Sequence, residues 1–194
     1  MTDCPSLTPS LDADVRDVPP LTPSTIRLIE VALAAGGFGI GTGEFVIMGL
    51  LPEVAQTYGV TVPQAGHVIS AYALGVVIGA PIIAALAAKL PRKTLLLLLM
   101  GLFALGNFAS ALATQFSAFT ALRFVTGLPH GAYFGVAALV AASMAPPNRR
   151  VRAVGRVMLG LTIATLVGTP IATFLGQLMS WRAAFLMVAV IGAI

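Results

Sequence analysis

Charge is scarce in this sequence: 9% of its 194 residues are Asp, Glu, Lys or Arg, while 58% are hydrophobic. Soluble domains carry roughly a quarter charged residues, so a chain this poor in charge cannot cover a water-facing surface. Cysteine is nearly absent. Cys4 stands alone in a polar segment, which excludes a disulfide framework and a thiolate metal site. Carboxylates are few as well, and none follows Glu53. No nucleophile, metal cluster or cofactor motif is identifiable, and the glycines at 36, 37, 39, 41 and 43 fit no phosphate-cradling pattern. The sequence therefore points away from an enzyme and away from any cofactor. The formal net charge of +4 does not indicate nucleic acid, because the basic residues occur in short clusters between apolar runs.

The apolar runs are what remain. A bilayer span needs about 20 mainly apolar residues. By that rule the chain is all-α, with helices at 26–51, 65–88, 94–114, 117–145, 153–178 and 181–194. Pro52, Pro63, Pro91, Pro146 and Pro147 fall at or near the breaks, where a missing N–H costs least. The sixth run is short of a span, so the sequence reads as an N-terminal piece of a longer protein. Residues 1–24 are polar, rich in proline and hold Asp3, Asp12, Asp14 and Asp17. They read as a disordered tail without a signal peptide, and residues 25–194 as one transmembrane bundle. Lys89, Arg92 and Lys93 mark one loop, and Arg149, Arg150, Arg152 and Arg156 another. The loops at 52–64 and 114–117 hold no Lys or Arg, and Arg182 alone precedes the sixth helix. Positive loops lie inside, which places the N-terminus in the cytoplasm and the protein in the plasma membrane (the inner membrane of a bacterium).

An offset of 89 residues aligns Gly79-Ala-Pro81-Ile82 with Gly168-Thr-Pro170-Ile171. Helices two and three thereby resemble helices five and six. Three helices is an odd number, so the two copies face opposite ways across the membrane. Such a 3+3 inverted repeat is a construction of secondary transporters, with a site near the midplane.

At this stage four stretches resemble the major facilitator superfamily. They are Glu44-Phe-Val-Ile-Met-Gly-Leu-Leu-Pro52, Arg123-Phe-Val-Thr-Gly127-Leu-Pro-His-Gly131, Gly168-Thr-Pro170 and Trp181-Arg-Ala-Ala-Phe185. Within it they are similar to the twelve-span drug:proton antiporter branch, with its arabinose-efflux-permease-like and sugar-efflux-like members. The resemblance implies two six-helix halves, of which this chain is the N-terminal one. It also implies proton-coupled efflux of small organic solutes, drugs or sugars. The partners it implies are the lipid bilayer, substrate, protons and the missing C-terminal half. The family's signature between helices two and three is loosened here. Only Leu86, Ala87, Arg92 and Lys93 match outright, with Ala88 in place of an Asp and Pro91 in place of a Gly. A non-transporting regulatory half-protein, or a half that dimerises, is the alternative.

Polar residues inside spans are expensive and tend to be functional. Glu44 reads as the one carboxylate deep in an apolar run, about 10 Å from the outer end of helix one. Arg123 lies at similar depth on helix four, about 9 Å from the same face. A buried guanidinium needs an acceptor, so the two are expected to pair, directly or through water. They form either a proton switch or a static ion pair. His130 shares the face of Arg123 two turns on, as a proton relay or as a hydrogen-bonding strut between helices. His67 reads as a solvated residue at the outer mouth. Thr162, Thr165, Thr169 and Thr173 form a polar stripe on helix five, either lining a cavity or bonding back to the preceding turn. Phe45, Tyr72 and Tyr133 are candidates to stack on a substrate, and Asn107 to line its cavity or bond between helices. Gly79, Pro81, Arg92, Lys93, Gly127, Gly131, Gly168 and Pro170 are expected to serve gating and packing.

Overall fold

A computed structural model describes residues 22–86 and 89–193. Most of the expected tail, Ala87, Ala88 and Ile194 lie outside the described residues. Among the described residues there is no strand. Five helical stretches are long and apolar enough to cross a membrane: Pro23–Tyr58, Val62–Leu86, Arg92–Leu112, Phe116–Met144 and Pro147–Leu178. A sixth, Trp181–Ala193, is shorter.

The first stretch begins with Thr22, whose hydroxyl accepts from the Thr25 N–H (3.3 Å), and Pro23 opens helix α1, Pro23–Phe45. The polypeptide then tightens into a 3₁₀ turn, Val46–Leu50, directly after Glu44 and Phe45, and continues as α2, Leu51–Tyr58. Helix one therefore does not stop at residue 51. Pro52 sits in the first turn of α2, where its missing N–H breaks no intrahelical bond. The break comes at Gly59, left-handed with φ 65°, a conformation glycine adopts without a Cβ penalty. A single turn, α3 (Val62–Ala65), is closed by a reciprocal cap between Thr61 and Gln64 and leads into α4, His67–Leu86. Helices α5 (Arg92–Leu112) and α6 (Phe116–Met144) follow.

The fifth stretch is α7 (Arg150–Ile163), a π turn at Ala164–Gly168, and α8 (Thr169–Leu178). The π turn has a local cause. Pro170 cannot donate, and its ring would strike the carbonyl four residues back; a widened turn just ahead relieves both. Helix α9, Trp181–Ala193, completes the bundle.

Packing follows the repeat. Helix α4 lies along α6, and α7 lies along α1, so the second helix of each copy packs on the first helix of the other. Gly79 abuts the backbone of Leu128 on α6, while Gly168 abuts Phe38 and Thr42 on α1. The core has two apolar clusters, around Phe119, Trp181 and Phe185 near one end and around Ile40, Phe103, Tyr133 and Val157 near the other. Outward faces carry Leu28, Val77, Leu105, Leu166 and Phe174, all well exposed. A surface apolar on this scale suits hydrocarbon rather than water.

Candidate functional site

Glu44 ends α1 with 28% of its side chain exposed, and its Oε2 lies 3.8 Å from His130 Nδ1 on α6. The same Nδ1 shares a 3.0 Å hydrogen bond with the hydroxyl of Tyr72 on α4. Tyr72 in turn forms the floor for Arg123, whose guanidinium carbon sits 4.3 Å from its ring centroid and 5.4 Å from that of Phe185. Arg123 is fully buried, and Nε, Nη1 and Nη2 make no hydrogen bond to protein among the described residues. Three helices thus converge in the order Glu44, His130, Tyr72, Arg123.

Of the pairing expected from depth, directly or through water, the direct contact is not made. The two charges lie within Coulombic reach but do not touch. The Tyr72 ring lies over one face of the guanidinium, and His130 is the residue nearest the carboxylate. Cation–π contact replaces the missing salt bridge.

The other candidates separate. Tyr72 is 3% exposed beneath Arg123, and Tyr133 donates to the Leu33 carbonyl (2.8 Å) while its ring lies against Gly36. Both aromatics hold the protein itself together. Phe45 is half-buried beside Glu44. Asn107 is buried and bonds back to the Phe103 carbonyl (2.8 Å), leaving Oδ1 without a protein partner. The threonine stripe is divided by the π turn. Thr162 and Thr165 are exposed and Thr165 bonds back to the Thr162 carbonyl, whereas Thr169 and Thr173 are half-buried, the latter against Gly49.

Gly127 abuts the backbone of Tyr72, and Gly131 the side chain of Ala80. Both lie along the α4–α6 contact, on the same seam as Gly79. Pro81 lies within α4 and Pro170 in the first turn of α8. Arg92 and Lys93 are exposed at the start of α5, where cations oppose the helix dipole; helix stability does not account for them. His67 is exposed at the start of α4. No group of three or more His, Cys, Asp or Glu that could hold a metal occurs among the described residues.

One buried acid was overlooked by hydropathy alone. Glu30 is only 6% exposed and accepts from Arg156 Nη2 at 2.9 Å, joining α1 to α7. Glu44 is therefore not the only carboxylate enclosed by the bundle. The signal was available: Glu30 lies seven residues inside Pro23, and Arg156 seven inside Arg149, so their depths match.

An all-α bundle of membrane-length helices, with a buried cation and a carboxylate converging between three of them, defines a polytopic membrane protein with an intramembrane polar site. Residues 33–194 match the model of the Major Facilitator Superfamily, and the chain belongs to that family. Over 164 residues it is 46% identical to the inner membrane transport protein YdhP of Escherichia coli K12, covering 84% of this chain and 42% of that protein. It is 44% identical over 165 residues to the putative transporter AraJ of the same organism, covering 85% and 42%. A chloramphenicol resistance protein of Streptomyces lividans is 39% identical over 168 residues, covering 87% and 42%. The chain thus spans about two-fifths of the length of these relatives. In fold it is similar to the inward-open xylose transporter XylE from E. coli, with a TM-score of 0.75 at 17% identity over 86% of this chain and 45% of that one.

Proposed function

We propose that this chain is the N-terminal half of a proton-coupled exporter of small organic solutes in the bacterial inner membrane. A second six-helix bundle, outside this chain, completes the transport cavity. The observation that carries the proton-coupling part is the file of Glu44, His130, Tyr72 and Arg123, with the carboxylate partly open and the guanidinium sealed. Ionised Glu44 is drawn toward the buried Arg123 by charge; protonated, it loses that attraction and the helices bearing it are freer to part. A proton taken up by the carboxylate from one side and released to the other would bias the two access states, which is what coupling requires. Export of drug-like compounds or sugars is supported by the printed descriptions of the relatives, among them the chloramphenicol resistance protein and a probable sugar efflux transporter of Pasteurella multocida, 33% identical over 165 residues.

The test is efflux from vesicles carrying the complete protein under an imposed pH gradient. Glu44→Gln is expected to abolish gradient-driven efflux while counterflow exchange at equal pH persists, because binding without proton release remains possible. Undiminished gradient-driven efflux by Glu44→Gln would sink the switch.

A further inference from the structure

Two fully buried polar side chains stand without a protein partner among the described residues, and they are complementary. Arg123 offers Nε, Nη1 and Nη2, all donors, and Asn107 offers Oδ1, an acceptor. Each residue is 0% exposed. Helices of this chain alone bury them, so the match does not depend on what covers the outer faces of the bundle.

The two residues also share a layer. Phe103 on α5 and Val188 on α9 both close on Gly43 of α1, and α9 runs against α1, since Gly39 meets Ile191 where Gly43 meets Val188. One turn from this triple toward Trp181 stand Ile47, Asn107 and Phe185. Helix α6 fixes the level from another side. Thr126 lies against Gly106, the residue before Asn107, and Arg123 is one turn on toward the same end. The Arg123 guanidinium reaches Phe185, with its carbon 5.4 Å from the ring centroid. Asn107 lies on the face of α5 that carries Phe103, so amide and guanidinium enter the same layer beside Phe185.

Other donors there are engaged. The Asn107 Nδ2 donates to the Phe103 carbonyl (2.8 Å), which fixes the amide. The Thr126 hydroxyl turns back to the Leu122 and Arg123 carbonyls (3.0 and 2.9 Å), and the Ser110 hydroxyl to the Gly106 carbonyl (2.7 Å). The guanidinium is the donor left to serve Oδ1. We propose that one bound water joins them, accepting from Arg123 and donating to Asn107 Oδ1, which makes Asn107 the positioning residue for Arg123. Buried waters are held by two to four such bonds to otherwise unmatched groups. The guanidinium is thereby tied to α5 as well as resting on Tyr72 of α4. The proposal does not rest on proton coupling.

A double-mutant cycle read by thermal unfolding of the complete protein in detergent tests the link. Asn107→Leu, similar in size but without the acceptor, should lower the Tm of the parent by about 2 °C. In an Arg123→Met background the same change should lower it by less than half as much, or raise it, because Oδ1 there has no cation to hold. Asn107→Asp keeps the acceptor and adds a charge, so it should match or exceed the parent Tm, yet lower the Tm where Arg123 is replaced. Loss of packing alone does not produce that reversal. Equal shifts for Asn107→Leu in the two backgrounds would overturn the proposal. So would a loss on Asn107→Asp as large as on Asn107→Leu in the parent, a comparison that decides the matter even where Arg123→Met does not fold. The water itself is read from a structure of the complete protein at a resolution that shows ordered solvent. Density about 3 Å from both Oδ1 and a guanidinium nitrogen is expected, and a direct contact between the two side chains, or Oδ1 bonded elsewhere, would overturn it.

Discussion

Arg123 carries a heavy local cost. A guanidinium sealed from water, with no hydrogen bond to protein among the described residues, forfeits several kcal/mol of solvation. The rings of Tyr72 and Phe185 return part of it, about 2 kcal/mol for a desolvated cation–π contact. Tyr72 has a second duty, because its hydroxyl bonds His130. The two duties separate by substitution. Tyr72→Phe keeps the ring and removes one hydrogen bond, so thermal unfolding in detergent should register a loss of about 1 kcal/mol. Tyr72→Leu removes the platform too and should cost about 2 kcal/mol more. Equal losses in the two variants would show that the ring does not hold the guanidinium. Depth counting in the sequence brought Glu44 and Arg123 to the same region, but could not foresee that an aromatic ring from a third helix would occupy the cation.

At the scale of elements, glycine decides which helices may touch. Gly160 on α7 faces Ala34 so closely that a Cβ there would overlap the Ala34 carbonyl. Gly155, five residues earlier on the same helix, has open space around it. Gly160→Val is therefore expected to push α1 from α7, strain the Glu30–Arg156 bond and cost about 1–3 kcal/mol. Gly155→Val should cost no more than a few tenths. The measurement is thermal unfolding of both variants in the same detergent, and matching midpoints would refute the close-approach account. Much at this scale was legible beforehand. Prolines and apolar runs marked the spans, and the offset of 89 residues aligned Gly79 with Gly168, two glycines that the fold sets at close helix contacts. Two features were not. The π turn depends on how Pro170 meets its own helix, which hydropathy does not register. Arg182 looked like a topological marker, yet its Nη1 donates to the Ala111 and Ala113 carbonyls (2.6 and 2.7 Å) and its guanidinium lies over Trp181. A cation capping the carbonyl end of α5 is stabilised locally, which explains a positive charge at a loop otherwise free of them.

Across the whole molecule, orientation organises everything else. We propose the orientation with the basic loops inside, which puts Glu44 in the outer half of its span and Glu30 and Arg156 toward the cytoplasmic end. The Lys/Arg bias supports it, and the capping role of Arg182 removes the one basic residue that spoke against it. Thr61 and Asn148 offer clean probes, both exposed and lying in connections at opposite ends of the bundle. Cys4 is the one cysteine of this sequence, so Cys4→Ser, with any cysteine elsewhere in the complete protein replaced likewise, gives a silent background. In intact cells, Thr61→Cys should react with a membrane-impermeant maleimide, and Asn148→Cys should react only after permeabilisation. The reverse pattern would turn the molecule over. It would place Arg27 and Arg156 at the outer end of the bundle and Glu44 nearer the cytoplasm.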